Sequence, residues 1–184
     1  MRSLNFKIFL LYSLISTYGF SQYSIKEIKS IQDSIQFDLK DTVEANWIKP
    51  KLNKMIELLN NPDSLFPYMV YDSVLYFRYG TEEKFEPRYW NNIYSKYAIE
   101  SKRLDIKEVN SILITINNPL NFNWEECGTP FIEGAIIFYN SGNQIAKIEH
   151  ACSGGQIFTN PNNALIKFGV LNEKGYKEFY KILN

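Results

Sequence analysis

Four glutamates are the strongest candidates for acid–base chemistry in this sequence. Glu125 and Glu126 follow Trp124, and Glu133 and Glu149 lie in two stretches that we predict to be paired strands. A glycosidase needs two carboxyl groups about 5 to 9 Å apart, one protonated and one ionised. Adjacent glutamates in a loop, and glutamates on the outer face of a hairpin, are ordinary solvated groups. We therefore predict no catalytic residue; the alternative is a small hydrolase that uses carboxylates such as Glu126 and Glu133.

The sequence contains a single histidine, His150. It falls on the predicted inner face of the hairpin, where a histidine is usually a hydrogen-bonded structural residue. A general base would need an orienting carboxylate and a nucleophile beside it. One histidine with two distant cysteines does not match the ligand spacing of a zinc site. Phosphate-binding, dinucleotide-binding and Gly-x-Ser-x-Gly motifs are absent from the sequence. We predict neither a metal nor a cofactor.

The two cysteines, Cys127 and Cys152, are predicted to form a disulfide. Two cysteines in an exported chain are more often paired than free. Gly128, Thr129 and Pro130 can turn the chain back so that the two sulfur atoms meet. The competing interpretation is a catalytic or metal-binding Cys152 beside His150, which an oxidising compartment disfavours.

Aromatic side chains make up 16% of the sequence and are clustered. Exposed rings of this kind bind glycans or proteins with little loss of conformational entropy. Base rates of burial favour a core role for alternate members of both clusters, which are Tyr68, Tyr71, Tyr76 and Tyr79, and then Tyr89, Trp90, Tyr94 and Tyr97. The candidates for binding aromatics are Tyr89, Trp90, Tyr94 and Trp124.

The N-terminal segment has the order of a secretory signal peptide. Arg2 and Lys7 precede the apolar run 8–15, and Gly19 and Ser21 provide small residues before a cleavage site at Gln22. The apolar run is shorter than the ~20 residues that a membrane-spanning helix needs. We predict a signal peptide over 1–21 and a periplasmic or secreted protein without membrane insertion after cleavage. The alternatives are an N-terminal membrane anchor and a buried helix.

Hydrophobic spacing predicts one α+β domain over 22–184, with an antiparallel sheet packed against helices. Apolar residues at helical spacing indicate helices near 50–60 and 89–101 and at the C-terminus, where Asn172 is the N-cap. Residues 24–43 also have helical spacing. Runs of β-branched and aromatic residues indicate strands. The predicted strands are 68–79, 111–116, 132–139, 144–152 and 165–171.

The hairpin 132–139/144–152 allows a prediction of register. A three-residue loop of Ser141, Gly142 and Asn143 would place Asn140 opposite Gln144, with Asn143 in the left-handed region. One face then carries Ile132, Gly134, Ile136, Phe138, Ala146, Ile148, His150 and Cys152. The other face carries Glu133, Tyr139, Lys147 and Glu149. A slip of one residue would mix these two sets, which a half-buried hairpin avoids.

The same region resembles a pattern in small exported proteins of unknown function from Bacteroidota. The resemblance rests on Cys127-x-x-Pro130, the run 137–140, Gly142, and the run 148–152 that ends in Cys152. Members often have a further cysteine three residues later, where this chain has Gly155. The resemblance implies export, the hairpin and the disulfide, and it implies no activity.

Charge excludes two classes of partner. The 20 basic and 20 acidic residues balance, and no basic stripe suggests nucleic acid. The balance also gives no steering toward anionic membranes. We expect a non-enzymatic exported domain that binds a protein or glycan partner. Carboxylates that converge in a concave pocket would favour the hydrolase, and a flat exposed aromatic patch would favour binding.

Overall fold

The computed structural model describes residues 29–30, 33, 48–80, 98–125, 132–151 and 155–183. The predicted signal peptide, most of 24–43, the aromatic segment 81–97 and both cysteines lie outside these residues. The chain divides into two compact units, residues 1–70 and 71–184. Within the described ranges, no helix is both long enough and apolar enough to cross a membrane.

In the first unit, helix α1 spans Ile48–Asn60 and confirms the predicted helix near 50–60. Leu52, Met55 and Leu59 are buried, as their spacing along one helical face predicts. Pro50 lies in the first turn, where a backbone N–H has no partner within the helix. A short 3-10 helix over Pro62–Ser64 follows.

The second unit contains a five-stranded antiparallel sheet and two α-helices among its described residues, which confirms the α+β class. The strands lie in the order β2-β1-β3-β4-β5. Their bounds are β1 Ser73–Tyr79, β2 Ala98–Arg103, β3 Ile132–Asn140, β4 Asn143–Ala151 and β5 Gln156–Asn160. Residues 98–101, the predicted end of the 89–101 helix, therefore belong to β2.

The predicted strand at 111–116 is wrong, because these residues form the second half of helix α2, Ile106–Ile116. Asp105 accepts hydrogen bonds from the backbone N–H groups of Lys107 and Glu108, and the Glu108 side chain accepts one from the Asp105 N–H. This capping box fixes the start of the helix. Four apolar side chains then lie on one buried face: Val109, Ile112, Leu113 and Ile116.

The predicted strand at 165–171 is also wrong. Ala164–Ile166 form a 3-10 helix, and Lys167 (φ 55°) and Gly169 (φ 86°) turn the chain with left-handed backbone angles. A Cβ atom on Gly169 would lie 2.1 Å from the Ile157 carbonyl oxygen, so only glycine fits there. The strand of this region is β5, which the sequence analysis missed.

The predicted hairpin register holds over its centre, where Ile136 pairs with Ile148 and Gly134 with His150. The turn differs, because Ser141 and Gly142 form a two-residue loop with φ of 51° and 79°, and Asn140 pairs with Asn143. An irregularity after Phe138 then restores the predicted pairing. A second irregularity lies between Ile132 and Gly134.

Helix α3, Glu173–Leu183, confirms the predicted C-terminal helix. Asn172 accepts a hydrogen bond from the Gly175 N–H at 2.9 Å, as an N-cap residue does. A Cβ atom on Gly175 would lie 2.5 Å from the Asn121 carbonyl oxygen, so glycine lets the helix approach that segment closely. Phe179 is completely buried and packs edge-on against the His150 ring, which places α3 on the His150 face of the sheet.

Candidate functional site

Both faces of the sheet carry buried side chains. On one face lie Val74, Tyr76, Ile136, Ile148 and His150, with helix α3 above them. On the other face lies an apolar cluster of Phe77, Tyr79, Ile132, Ala135, Ile137 and Ala151. The prediction that Ile132 shares a face with Ile136 is wrong, because the irregularity before Gly134 shifts it to this cluster.

His150 lies at the centre of a polar cluster that joins two strands and a helix. Its Nε2 atom is 3.3 Å from the Tyr76 hydroxyl of β1, and its Nδ1 atom is 3.2 Å from the Tyr180 hydroxyl of α3. A neutral imidazole has one donor and one acceptor nitrogen, so one tyrosine donates and the other accepts. The Tyr76 ring also stacks on the His150 ring.

Gly134 creates the space for this arrangement. A Cβ atom at Gly134 would lie 2.3 Å from His150 Nε2, 2.7 Å from the Phe77 carbonyl oxygen and 3.0 Å from the Tyr76 ring. Two of these groups are the hydrogen-bonding pair itself, and the third is backbone. The absence of a side chain at Gly134 is therefore what allows the tyrosine and the histidine to meet.

Glu133 approaches the same cluster, contrary to the prediction that it lies on an outer face. Its Oε2 atom is 4.0 Å from His150 Nδ1, and its side chain is 31% exposed. The reason is the β-bulge: Ile132 pairs with Ala151 and Gly134 with His150, so Glu133 is the extra residue. Bulges commonly redirect one side chain in this way. The cluster therefore has a solvent-accessible carboxylate on one side.

Burial controls the protonation of the cluster. It lowers the pKa of His150 to about 4, and the Glu133 carboxylate offsets part of that effect. Burial also raises the pKa of Tyr76. At neutral pH the imidazole is consequently uncharged and both ring nitrogens are occupied by tyrosine hydroxyls. This arrangement is suited to bracing β1, β4 and α3 rather than to taking a proton from a substrate.

Lys147 and Glu149 form an ion pair on the opposite face of β4. Their Nζ and Oε1 atoms are 2.9 Å apart, and their side chains are only 4% and 6% exposed. The prediction of a solvent face for these two residues is wrong. Because both residues are polar and have Ile148 between them, the pattern along β4 resembled that of a strand with one solvent-exposed face. Both faces of β4 are in fact buried there. A buried pair of opposite charges avoids the cost of a lone buried charge.

Of the remaining candidates from the sequence, the structure describes Glu125 and Trp124. Glu125 is exposed, and Glu126 lies outside the described residues, as do Tyr89, Trp90 and Tyr94. Trp124 is half-buried, packs edge-on against Phe168 and lies 5.2 Å below the Lys167 ammonium group. Within the described part of the chain, no three potential metal ligands are close enough together to hold an ion.

An exposed apolar loop is a second feature of interest, in the first unit. Tyr68, Met69 and Val70 are consecutive and are 36%, 45% and 67% exposed. Tyr68 has a left-handed backbone (φ 40°), its N–H donates to the Leu65 carbonyl, and its ring packs edge-on against the buried Phe66. The prediction that 68–79 is one strand placed these residues in a sheet. The strand instead begins at Ser73, which leaves Tyr68–Val70, the apolar loop, at the surface.

Comparisons of the chain with protein-family models, with curated proteins and with solved structures found no match.

Proposed function

We propose that this chain is exported and that its mature part is a non-enzymatic domain that binds a protein partner. Export rests on the N-terminal order of positive charge, apolar run and small residues described above. Binding rests on one observation, the apolar loop. Single exposed apolar side chains are normal in proteins, but three consecutive large ones at the surface are typical of a contact site.

The composition of the loop favours a protein over a glycan. Met69 and Val70 are aliphatic and more exposed than Tyr68. Methionine adapts its shape to apolar protein surfaces. A sugar platform needs an exposed ring with polar groups placed around it, whereas here the single ring is the least exposed of the three side chains. The Phe66 contact holds that ring at the base of the loop.

A crosslinking experiment tests this proposal. A photoreactive phenylalanine derivative at position 68, in protein expressed in its native host, should capture a defined partner. The double substitution Met69→Ser with Val70→Ser should reduce capture on the order of tenfold or more. The matched control is Ile106→Ser, since Ile106 is 58% exposed and lies in the other unit. Equal capture by the double variant and the control would contradict a role for the loop. If the parent binds to a glycan array and the double variant does not, the partner is a glycan rather than a protein.

The second candidate is the small carboxylate-dependent hydrolase, and one observation favours it. The Glu133 carboxylate lies 4.0 Å from His150 Nδ1. A histidine that acts as a general base requires such a carboxylate beside it. A panel of chromogenic glycosides and esters tests it. Turnover that Glu133→Gln loses would replace the binding proposal with an enzymatic one.

A further inference from the structure

Strand β2 forms one end of the sheet and is exposed along its length. Among the described residues, only β1 pairs with it. From Ile99 to Arg103 every side chain is exposed, and Ile99 is 64% exposed. An unpaired strand edge presents backbone N–H and C=O groups that can pair with another strand. We call this outer side of Ala98–Arg103 the β2 edge.

The backbone groups on the β2 edge can be assigned. Leu104 continues the register in which Leu75 pairs with Arg103, and its N–H donates to the Val74 carbonyl at 3.0 Å. In an antiparallel ladder, hydrogen-bonded pairs alternate with non-hydrogen-bonded pairs. The backbone groups of Lys102 therefore point toward β1, and those of Ser101 and Arg103 point outward.

We propose that the β2 edge pairs antiparallel with the β2 edge of a second copy of this chain, around a two-fold axis at Ser101. The two sheets would then form one continuous sheet through the pair of β2 strands. The contact is isologous, because the same edge serves both copies, and it closes after two subunits.

The charges on β2 select this register and exclude its neighbours. With the axis at Ser101, Glu100 faces the Lys102 of the second copy, and Lys102 faces its Glu100. The outward backbone groups recur at every second residue, so the next available registers place the axis at Glu100 or at Lys102. Those registers put two glutamates or two lysines directly opposite each other, which is destabilising.

The neighbouring ion pairs extend this complementarity. Glu100 already contacts Arg78 at 2.7 Å, and Lys102 contacts Glu108 at 2.6 Å. Pairing of the two copies would produce alternating charges in the order Arg78, Glu100, then Lys102 and Glu108 of the second copy. Edge strands often carry charges that prevent pairing. Here the two signs are ordered so that they attract across a two-fold axis, and the dimer should weaken with salt.

Sedimentation velocity over a wide range of concentrations tests the proposal. The chain should associate reversibly to a dimer, whereas a monomer at every concentration would overturn the proposal. Glu100→Lys and Lys102→Glu should each weaken self-association about tenfold, because two attractive contacts become repulsive. An equimolar mixture of these two variants should associate again, since each lysine of one then faces a glutamate of the other.

A backbone variant provides a second measurement that does not depend on charge. Ser101→Pro removes an outward N–H that β1 does not use, and proline is tolerated at strand edges. It should abolish the dimer while the circular dichroism and melting temperature of the monomer stay unchanged. A dimer that persists in Ser101→Pro, or one that neither charge variant affects, would place the contact elsewhere and refute the β2 edge.

Discussion

Acid should destabilise the protein through His150, and the size of the effect follows from its surroundings. Folding lowers the pKa of this histidine from 6.5 to about 4. The unfolded chain therefore binds a proton that the folded chain does not bind between these two pH values. The stabilisation is fully present above pH 6.5 and is lost as the pH falls toward about 4. The difference corresponds to about 3 kcal/mol of unfolding free energy.

The groups that face His150 explain the direction of this effect. Tyr76 and Tyr180 hydrogen-bond to the neutral ring, and Phe179 packs against it. Among the described residues, Glu133 is the charged group that contacts the ring; it lies 4.0 Å from Nδ1 and is partly exposed. Its attraction for an imidazolium offsets only part of the desolvation cost. Replacing it, as in Glu133→Gln, should lower the pKa of His150 further.

Urea unfolding from about pH 7 to about pH 4 measures this loss, with His150→Gln as the control that cannot titrate in this range. The parent should lose about 3 kcal/mol and the variant much less. The carboxyls of Asp72 and Asp105 have pKa values lowered by hydrogen bonds, so their contributions are lost only at lower pH. Because the sequence has one histidine, its NMR titration reads the folded pKa directly. A midpoint near 6.5, or parallel profiles for parent and variant, would refute the reasoning.

Three further substitutions test separate contacts by chemical denaturation. Lys147→Met should cost about 3 to 5 kcal/mol because it removes the ammonium group that pairs with the buried Glu149 side chain, and adding Glu149→Leu should recover part of that loss. Gly175→Ala should destabilise by about 1 to 3 kcal/mol despite the higher helix propensity of alanine, since the new methyl group would collide with the Asn121 carbonyl; a neutral result would show that α3 can shift. Asp105→Ala should cost about 1 kcal/mol through loss of the cap on α2, and no change would mean that packing alone fixes that helix end.

The sequence predicted the parts of the fold that depend on local rules. Helix α3 followed from Asn172 and the spacing of Tyr176, Phe179 and Tyr180, and its predicted start agrees with the structure. The centre of the hairpin followed from the turn residues 140–143 and from the alternation of Ile148 with Lys147 and Glu149. In each case the hydrophobic period and a turn or cap residue indicated the same element.

The errors arose where two local signals conflicted. Residues 111–116 are rich in β-branched side chains and suggested a strand, although Asp105 and Glu108 form a capping-box motif that marks a helix start. That motif was present in the sequence and could have corrected the prediction. Strand β5 carries weaker signals, since Thr159 and Asn160 are polar and the strand spans only Gln156–Asn160.

The candidate site could not be predicted because it depends on a bulge. Strict alternation along β3 assigns Glu133 to the face opposite Gly134 and His150. One extra residue reverses this assignment and brings the carboxylate to 4.0 Å from the imidazole. The amino-acid composition gives no clear signal of the bulge. The bulge arises because Ile132 pairs with Ala151 while Gly134 pairs with His150, which makes Glu133 the extra residue. A glycine opposite a buried histidine is a recognisable feature, since close packing of His150 against Tyr76 requires Gly134 to lack a side chain.

The same alternation concealed the burial of the second face. Lys147 and Glu149 are separated by one residue, so they share a face and form an ion pair there. A strand with this pair resembles an amphipathic strand, while the apolar residues opposite them on β3, Ala135 and Ile137, are completely buried. Polar residues at alternate positions of a strand therefore indicate a solvent-exposed face only when they do not form an ion pair with each other. The apolar side chains of Ala135 and Ile137 were the better guide to this face. On a solvent-exposed face, both would have been left in contact with water.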